Sequence, residues 1–138
     1  MKRFLTLFIL AIVAATACSK KEQKSCNTSF IITGASTIPV TTAAAGIPVV
    51  VNSYGADLCS HYTGLSVSQQ SSPSGPVYAF EYFVSATGTR DCGDEVVCAQ
   101  ALVNASDSIT IRPTMPGTYK VHFRNITGTF RTDTVIVN

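Results

Sequence analysis

No stretch of the 138-residue chain has the three-to-four-residue apolar spacing of an amphipathic helix, and none has a heptad pattern or an internal repeat. A parallel sheet of the α/β type needs crossover helices, so the missing helical period argues against that architecture. The absence of repeats and heptads argues equally against solenoids and coiled coils. The chain is therefore predicted to build its core from strands and turns.

Charge is also scarce, because charged residues make up 13% of the chain and the formal net charge is +2. Lys2 and Arg3 account for this excess, so the chain beyond residue 17 has a formal charge of 0. Domains that bind nucleic acid usually carry a basic patch and an excess of positive charge. We therefore predict no nucleic-acid partner.

The sequence lacks both a G-x-S-x-G nucleophile turn and a C-x2-C pair. Zinc-type ligands are present, but their C-x-H and C-x5-C spacings match structural zinc sites poorly. They are Cys59, His61, Cys92, Cys98 and His122. We predict no metal, no cofactor and no catalytic activity. The alternative is a small hydrolase using His61, which would need an acid and a hydroxyl or thiol beside the imidazole.

The N-terminus has the layout of a secretory signal peptide. Lys2 and Arg3 precede an apolar segment from Phe4 to Ala15, which ends in Ala15-Thr16-Ala17-Cys18. A run of this length fits a signal sequence better than a transmembrane helix, which needs about 20 apolar residues. Residues 1–17 are therefore predicted to be removed on export.

Ala15-Thr16-Ala17-Cys18 resembles the lipobox of bacterial lipoproteins. The resemblance implies that Cys18 is lipidated, becomes the new N-terminus and anchors the protein to the membrane. Five cysteines are an odd number for an exported protein, and lipidation of Cys18 leaves four to pair. Ala15 stands where leucine is usual, so ordinary cleavage after Ala17 is the alternative. Lys20-Lys21-Glu22 is similar to the surface-export signals of Bacteroidota lipoproteins, which implies the outer membrane, on its periplasmic side or at the cell surface.

Residues 18–29 are polar and are predicted to form a flexible tether, followed by one domain over 30–138. Alternation is clear in two segments, where Tyr78, Phe80, Tyr82 and Val84 share one face and Tyr119, Val121 and Phe123 share another. Turn sequences such as Pro116-Gly117 separate the apolar runs. This pattern predicts an antiparallel β-sandwich.

Met115-Pro-Gly-Thr-Tyr-Lys-Val121 resembles the tyrosine corner of immunoglobulin-like domains, in which a tyrosine two residues before a core position bonds back to the preceding turn. Tyr119 would be that tyrosine and Val121 the core position. The chain departs from antibody domains because it has no tryptophan and no cysteine at position 121. The resemblance implies an immunoglobulin-like β-sandwich of the kind found in bacterial surface proteins.

Four cysteines remain for two disulfides in an oxidising compartment. Cys92 and Cys98 are separated by five residues, so one turn could bring them together. We therefore predict a Cys92–Cys98 bridge, which leaves Cys26 to pair with Cys59.

Three segments are predicted to form exposed contact loops, namely Ser53–Asp57, Ser71–Pro76 and Cys92–Cys98. Tyr54, Asp57 and His61 are the candidate binding residues. Lys120, His122 and Arg124 line one solvent-facing strand face, which could hold an anionic glycan but is also what any solvated sheet displays. The predicted function is non-catalytic binding of an envelope protein or glycan. The alternative is a structural subunit with an open edge at its first or last strand.

Overall fold

The computed structural model describes residues 24–72, 79–94 and 96–138, and every regular element in them is a strand. The strands are β1 (Ser25–Thr37), β2 (Val40–Thr41), β3 (Ile47–Gly55), β4 (Ser60–Ser72), β5 (Ala79–Asp91), β6 (Val103–Ile111), β7 (Gly117–Asn125) and β8 (Gly128–Val137). A search of these residues finds no helix long and apolar enough to cross a membrane. The predicted all-β class is confirmed.

The strands form one curled sheet in the order β2-β8-β7-β5-β1-β3-β6. β7 and β1 share one edge of β5, and β4 pairs with its opposite edge. Two pairings, β2 with β8 and β5 with β7, are parallel, so the prediction of a purely antiparallel arrangement is wrong. A long connection through β6 separates β5 from β7 along the chain, which lets β7 return in the same direction. The sheet curls until β4 and β6 meet, where the Tyr62 hydroxyl donates to Asp107 Oδ2 at 2.9 Å.

β1 belongs to both halves of this curled sheet. Its residues Ser25–Phe30 pair with β5, and Ile31–Thr37 then pair with β3. β7 pairs with the segment of β5 from Phe80 to Val84, which β1 does not contact by strand pairing. Because β1 begins at Ser25, the ordered domain starts inside the predicted 18–29 tether, and the boundary at Phe30 is corrected accordingly.

The core lies inside the curl and is made of alternate residues from six strands. Tyr82 and Val84 are buried as predicted, as are Tyr119, Val121 and Phe123, whereas Tyr78 lies outside the described residues. The Tyr119 hydroxyl donates to the Met115 carbonyl at 2.5 Å, which confirms the bond predicted for this corner. The core residues are Phe30, Ile32, Ile47, Val49, Val51, Tyr82, Val84, Ala86, Ile111, Tyr119, Val121, Phe123, Val135 and Val137.

All four cysteines of the domain are paired, but the predicted connectivity is wrong. The bridges are Cys26–Cys92 and Cys59–Cys98, with Cα–Cα distances of 6.0 and 5.5 Å. The β1–β5 register sets Cys26 opposite Arg90, and the Cys92 amide donates to the Lys24 carbonyl at 2.8 Å. Strand pairing therefore brings Cys92 to Cys26, and the other two cysteines meet across neighbouring loops.

Candidate functional site

Asp57, a predicted binding residue, is the centre of a hydrogen-bonded turn at one end of the domain. Its Oδ2 lies 2.8 Å from Arg90 Nη2, and its Oδ1 accepts from the Ser60 hydroxyl at 2.9 Å and from the Cys59 amide at 3.2 Å. Desolvation raises the pKa of Asp57, but hydrogen bonds from Ser60 and Arg90 and the arginine charge outweigh it, so the pKa is lowered overall. The carboxylate already has these internal partners, so its main role is to hold the turn before β4.

His61 stands at the start of β4, which the sequence pattern did not identify as a strand, and not in a loop. Its ring is 56% exposed, and Nε2 lies 3.3 Å from Asp91 Oδ2. In the described part of the chain, no hydroxyl hydrogen-bonds to this ring, and the four cysteines are all in disulfides. His61 therefore has the acid that a hydrolase would need, without an adjacent nucleophile.

Tyr54 does not join Asp57 and His61. The predicted Ser53–Asp57 loop is largely strand, because β3 extends to Gly55. Ser53 and Gly55 are buried on the core side of β3, so Tyr54, which alternates with them, lies on the opposite face of the sheet. The predicted binding residues are thus divided between two surfaces. The predicted Ser71–Pro76 loop lies partly outside the described residues, and β4 extends to Ser72.

An open pocket of about 490 Å³ adjoins the Asp57 turn. Among the described residues, one group of metal-ligand types occurs here, formed by Asp57, Cys59 and Cys98. The two sulfurs form a disulfide and are not available as thiolates, so these residues do not fit a metal ion. The pocket is lined by Ala56, Asp57, Arg90, Cys98, Gln100, Ala101 and Leu102.

The outward side of β5 and β7, here called the outer face, carries an aromatic and cationic cluster. Phe83 and His122 are register partners, and their rings stack 4.9 Å apart with an interplanar angle of 15°. The Arg124 guanidinium carbon lies 4.0 Å from the centre of the Phe83 ring. This cation–π contact holds Arg124 over the strand surface while leaving its N–H donors available to a ligand.

His122 is less exposed than the alternation predicted. Its side chain is only 17% exposed, and its Nδ1 lies 2.9 Å from the Thr132 hydroxyl. Its Nε2 is buried without a hydrogen-bond partner, 3.5 Å from Glu81 Oε2. The stack against Phe83 covers the ring, so His122 supports the outer face rather than extending from it.

A hydroxyl-rich hollow of about 690 Å³ continues the outer face along β5. Phe83, Thr87 and Thr89 lie on the same side of this strand because they alternate with buried Val84, Ala86 and Gly88. Hydrogen bonds fix part of the hollow, since the Thr87 hydroxyl donates to the Gly64 carbonyl at 2.9 Å. It is lined by Asn27, Thr28, Ser29, Thr63, Thr87, Gly88, Thr89 and Ile126.

Sequence reasoning identified Lys120, His122 and Arg124 on one face, but it missed Phe83 and the hydroxyl-rich hollow. Phe83 alternates with the apolar residues of β5 and was detectable as an aromatic side chain on a polar face. The hollow combines β1, β4 and β5, and no local pattern predicts that combination.

Comparisons with models of protein families, with curated proteins and with solved structures find no match.

Proposed function

We propose that this protein is an exported, bacterial lipoprotein of the Bacteroidota type, anchored to the outer membrane through Cys18. Two disulfides in the domain suit an oxidising compartment outside the cytoplasm. The four domain cysteines pair with one another, so Cys18 is the one thiol of the sequence left for acylation. We also propose that the domain is related to immunoglobulin-like sandwiches, on the support of the Tyr119–Met115 hydrogen bond.

We propose that the domain binds an anionic envelope glycan on its outer face, without catalysis. The observation that carries this proposal is the Arg124 guanidinium held over Phe83 beside the hydroxyl-rich hollow. Neutral hydroxyl and amide groups suit sugar hydroxyls, and arginine suits a carboxylate or phosphate. The domain over residues 30–138 has five Lys and Arg residues against seven Asp and Glu residues, so Arg124 is a local cation on a domain without the broad basic surface that nucleic acid needs.

An affinity measurement with Arg124→Gln tests this function. Polygalacturonate serves as the anionic probe, and neutral dextran serves as the comparison. A charge-assisted hydrogen bond contributes about 1.5–3 kcal/mol, so the variant should bind polygalacturonate at least about tenfold more weakly than the unmodified protein. Arg112→Gln is the matched control because Arg112 is exposed near the opposite end of the domain. Equal binding of dextran, or an equal loss in both variants, would contradict the proposal.

A structural subunit of an envelope assembly is the second candidate, supported by an open edge at β4. This 13-residue strand pairs only with β5 among the described strands. The sequence suggested an open edge at the first or last strand. The first is not an edge because β1 lies between β5 and β3, whereas on the side away from β7 the last strand, β8, pairs among the described strands only with the two residues of β2. Strand addition by a partner should slow hydrogen exchange along the whole of β4, including residues 66–70, whereas glycan binding in the hollow should affect β4 only near Thr63.

A further inference from the structure

Exposed apolar side chains gather at the end of the domain that carries the disulfides. Val97 is 94% exposed, Leu102 is 61% exposed and Leu58 is 55% exposed. The Leu58 amide donates to the Ala99 carbonyl at 3.1 Å, and the Cys59–Cys98 bridge joins the same two loops. Leu58, Val97 and Leu102 are called the apolar cap below. Exposed apolar groups that cluster in this way mark a surface that contacts something else.

The chain leading to Cys18 leaves the domain at this same end. The Lys24 carbonyl accepts from the Cys92 amide, and Cys26 is bridged to Cys92. Lys24 is six positions after Cys18, so the intervening chain can span at most about 20 Å. A lipid on Cys18 therefore keeps the Cys92–Leu102 segment close to the bilayer surface.

A second set of exposed apolar residues, Ile38, Val40, Met115 and Ile136, lies at the other end. β5 has 13 residues and runs the length of the domain, which places this end about 40 Å from the cap. If the domain stood on this far end, the attachment point at Lys24 would lie about 40 Å above the bilayer, beyond the reach of the short connection to Cys18. The position of the attachment point therefore favours the cap, and not the far end, as the surface next to the membrane.

We propose that the apolar cap rests in the interfacial layer of the bilayer and holds the domain upright. The Asp91 end of β5 then lies near the membrane and the Ala79 end lies far from it. This inference rests on the proposed lipidation of Cys18. Apolar burial of Leu58, Val97 and Leu102 is the contribution that the cap itself makes to this contact, since exposed Asp94 in the same segment adds no attraction to anionic headgroups.

Tryptophan fluorescence in vesicles tests this orientation, because the natural chain contains no tryptophan. Lipidated Val97→Trp protein is placed in neutral phosphatidylcholine vesicles whose acyl chains carry bromine as a quencher. Interfacial side chains lie about 5–10 Å deep, so emission from Val97→Trp should fall roughly twofold or more relative to unbrominated vesicles. Met115→Trp, a 46% exposed site at the far end, is the matched control and should not be quenched.

Adding Leu102→Asp to the Val97→Trp protein should restore its emission while the lipid still holds the protein on the vesicles. If lipidated protein floats with the vesicles but Val97→Trp is not quenched, the docking proposal fails and the anchor stands. If mass measurement finds no lipid on Cys18, both fail together. A blue shift of Val97→Trp emission that depends on protein concentration without vesicles would show that the cap contacts a second copy, and would also overturn the proposal.

Discussion

At the residue scale, the Asn125 side-chain amide hydrogen-bonds to the backbone of β1 just after β1 stops pairing with β5. Asn125 Oδ1 accepts from the Ile32 amide at 2.8 Å, and Asn125 Nδ2 donates to the Ile32 carbonyl at 3.2 Å. Ile32 is a buried core residue, so its backbone groups cannot be left to water without cost. β3 pairs with Ile32 on one side, and Asn125 thus supplies the hydrogen bonds on the other side, where neither β5 nor β7 pairs with this residue.

Asn125→Ala should lower the free energy of unfolding by about 1–3 kcal/mol, because it leaves the Ile32 amide and carbonyl unpaired. Urea unfolding followed by circular dichroism measures this loss. Asn104→Ala is the matched control, since Asn104 is exposed on edge strand β6 and should change stability by no more than about 0.5 kcal/mol. Equal effects of the two substitutions would contradict the role given to Asn125.

The Asp57 turn predicts an acid-dependent loss of stability. Desolvation raises the pKa of the Asp57 carboxylate, but hydrogen bonds from Ser60 and Arg90 and the arginine charge lower it overall. The folded state therefore keeps this carboxylate ionised to lower pH than the unfolded state does. The resulting stabilisation is complete above the unfolded pKa of about 4, and it disappears as the pH falls through the folded pKa. Asp57→Asn should therefore destabilise the domain at pH 7 and have progressively less effect below about pH 4.

Unfolding curves at a series of pH values test this dependence. Asp94→Asn is the control, because Asp94 is exposed in the segment after Cys92 and is not part of the turn. An Asp57→Asn effect that stays constant from neutral to acid pH would rule out the ionised carboxylate as its source.

At the element scale, alternation predicted the buried faces of β5 and β7, but it did not reveal β4. Leu65 and Val67 alternate with serines in that strand, yet the register shifts between Tyr62 and Gly64 and interrupts the pattern. The parallel pairing of β5 with β7 was equally inaccessible, because either strand direction buries the same residues. Local patterns therefore identified strand faces, while the order and direction of strands depend on contacts between distant segments.

The contact between β4 and β6 predicts a loss of stability in alkali. Burial raises the pKa of Tyr62, and the hydrogen bond to Asp107 together with the charge of that residue raises it further. The stabilisation is present below the unfolded pKa of about 10 and is lost as the pH rises beyond it. Tyr62→Phe should cost about 1 kcal/mol at pH 7 and should make the domain less sensitive to pH above about 10.

Unfolding measured at pH 7 and at pH 11 checks the alkaline dependence, with Tyr54→Phe as the control. Tyr54 lies on the opposite face of β3 from the core and takes no part in the β4–β6 contact. If Tyr54→Phe and Tyr62→Phe alter the alkaline response equally, the Tyr62–Asp107 bond is not its cause.

At the scale of the whole molecule, cysteine parity was informative and cysteine spacing was misleading. An odd count separated Cys18 from four pairing cysteines, and the domain does pair those four. The short Cys92–Cys98 spacing suggested a local loop, but the register of β1 against β5 brings Cys26 to Cys92 instead. Only the global pairing of strands determines which distant cysteines meet.

The candidate binding site also depends on how distant strands pair, because its residues come from several of them. Lys120, His122 and Arg124 were predictable as one strand face, and β7 does present them together. The neighbouring hollow is formed by β1, β4 and β5 with Ile126 of the β7–β8 turn. In the proposed orientation the hollow lies in the membrane-proximal half of the domain, because Asn27 and Thr89 pair with each other directly beside Cys26 and Arg90. The Phe83–Arg124 contact lies further along β5 from the membrane.

The central claim is that an exported, acylated chain carries this disulfide-bonded domain, and intact mass measurement of protein from native membranes tests it most directly. We predict a chain that begins at Cys18, carries the added mass of diacylglycerol, and yields Cys26–Cys92 and Cys59–Cys98 peptides without reduction. An unmodified chain that retains Met1 and has reduced cysteines would contradict the account.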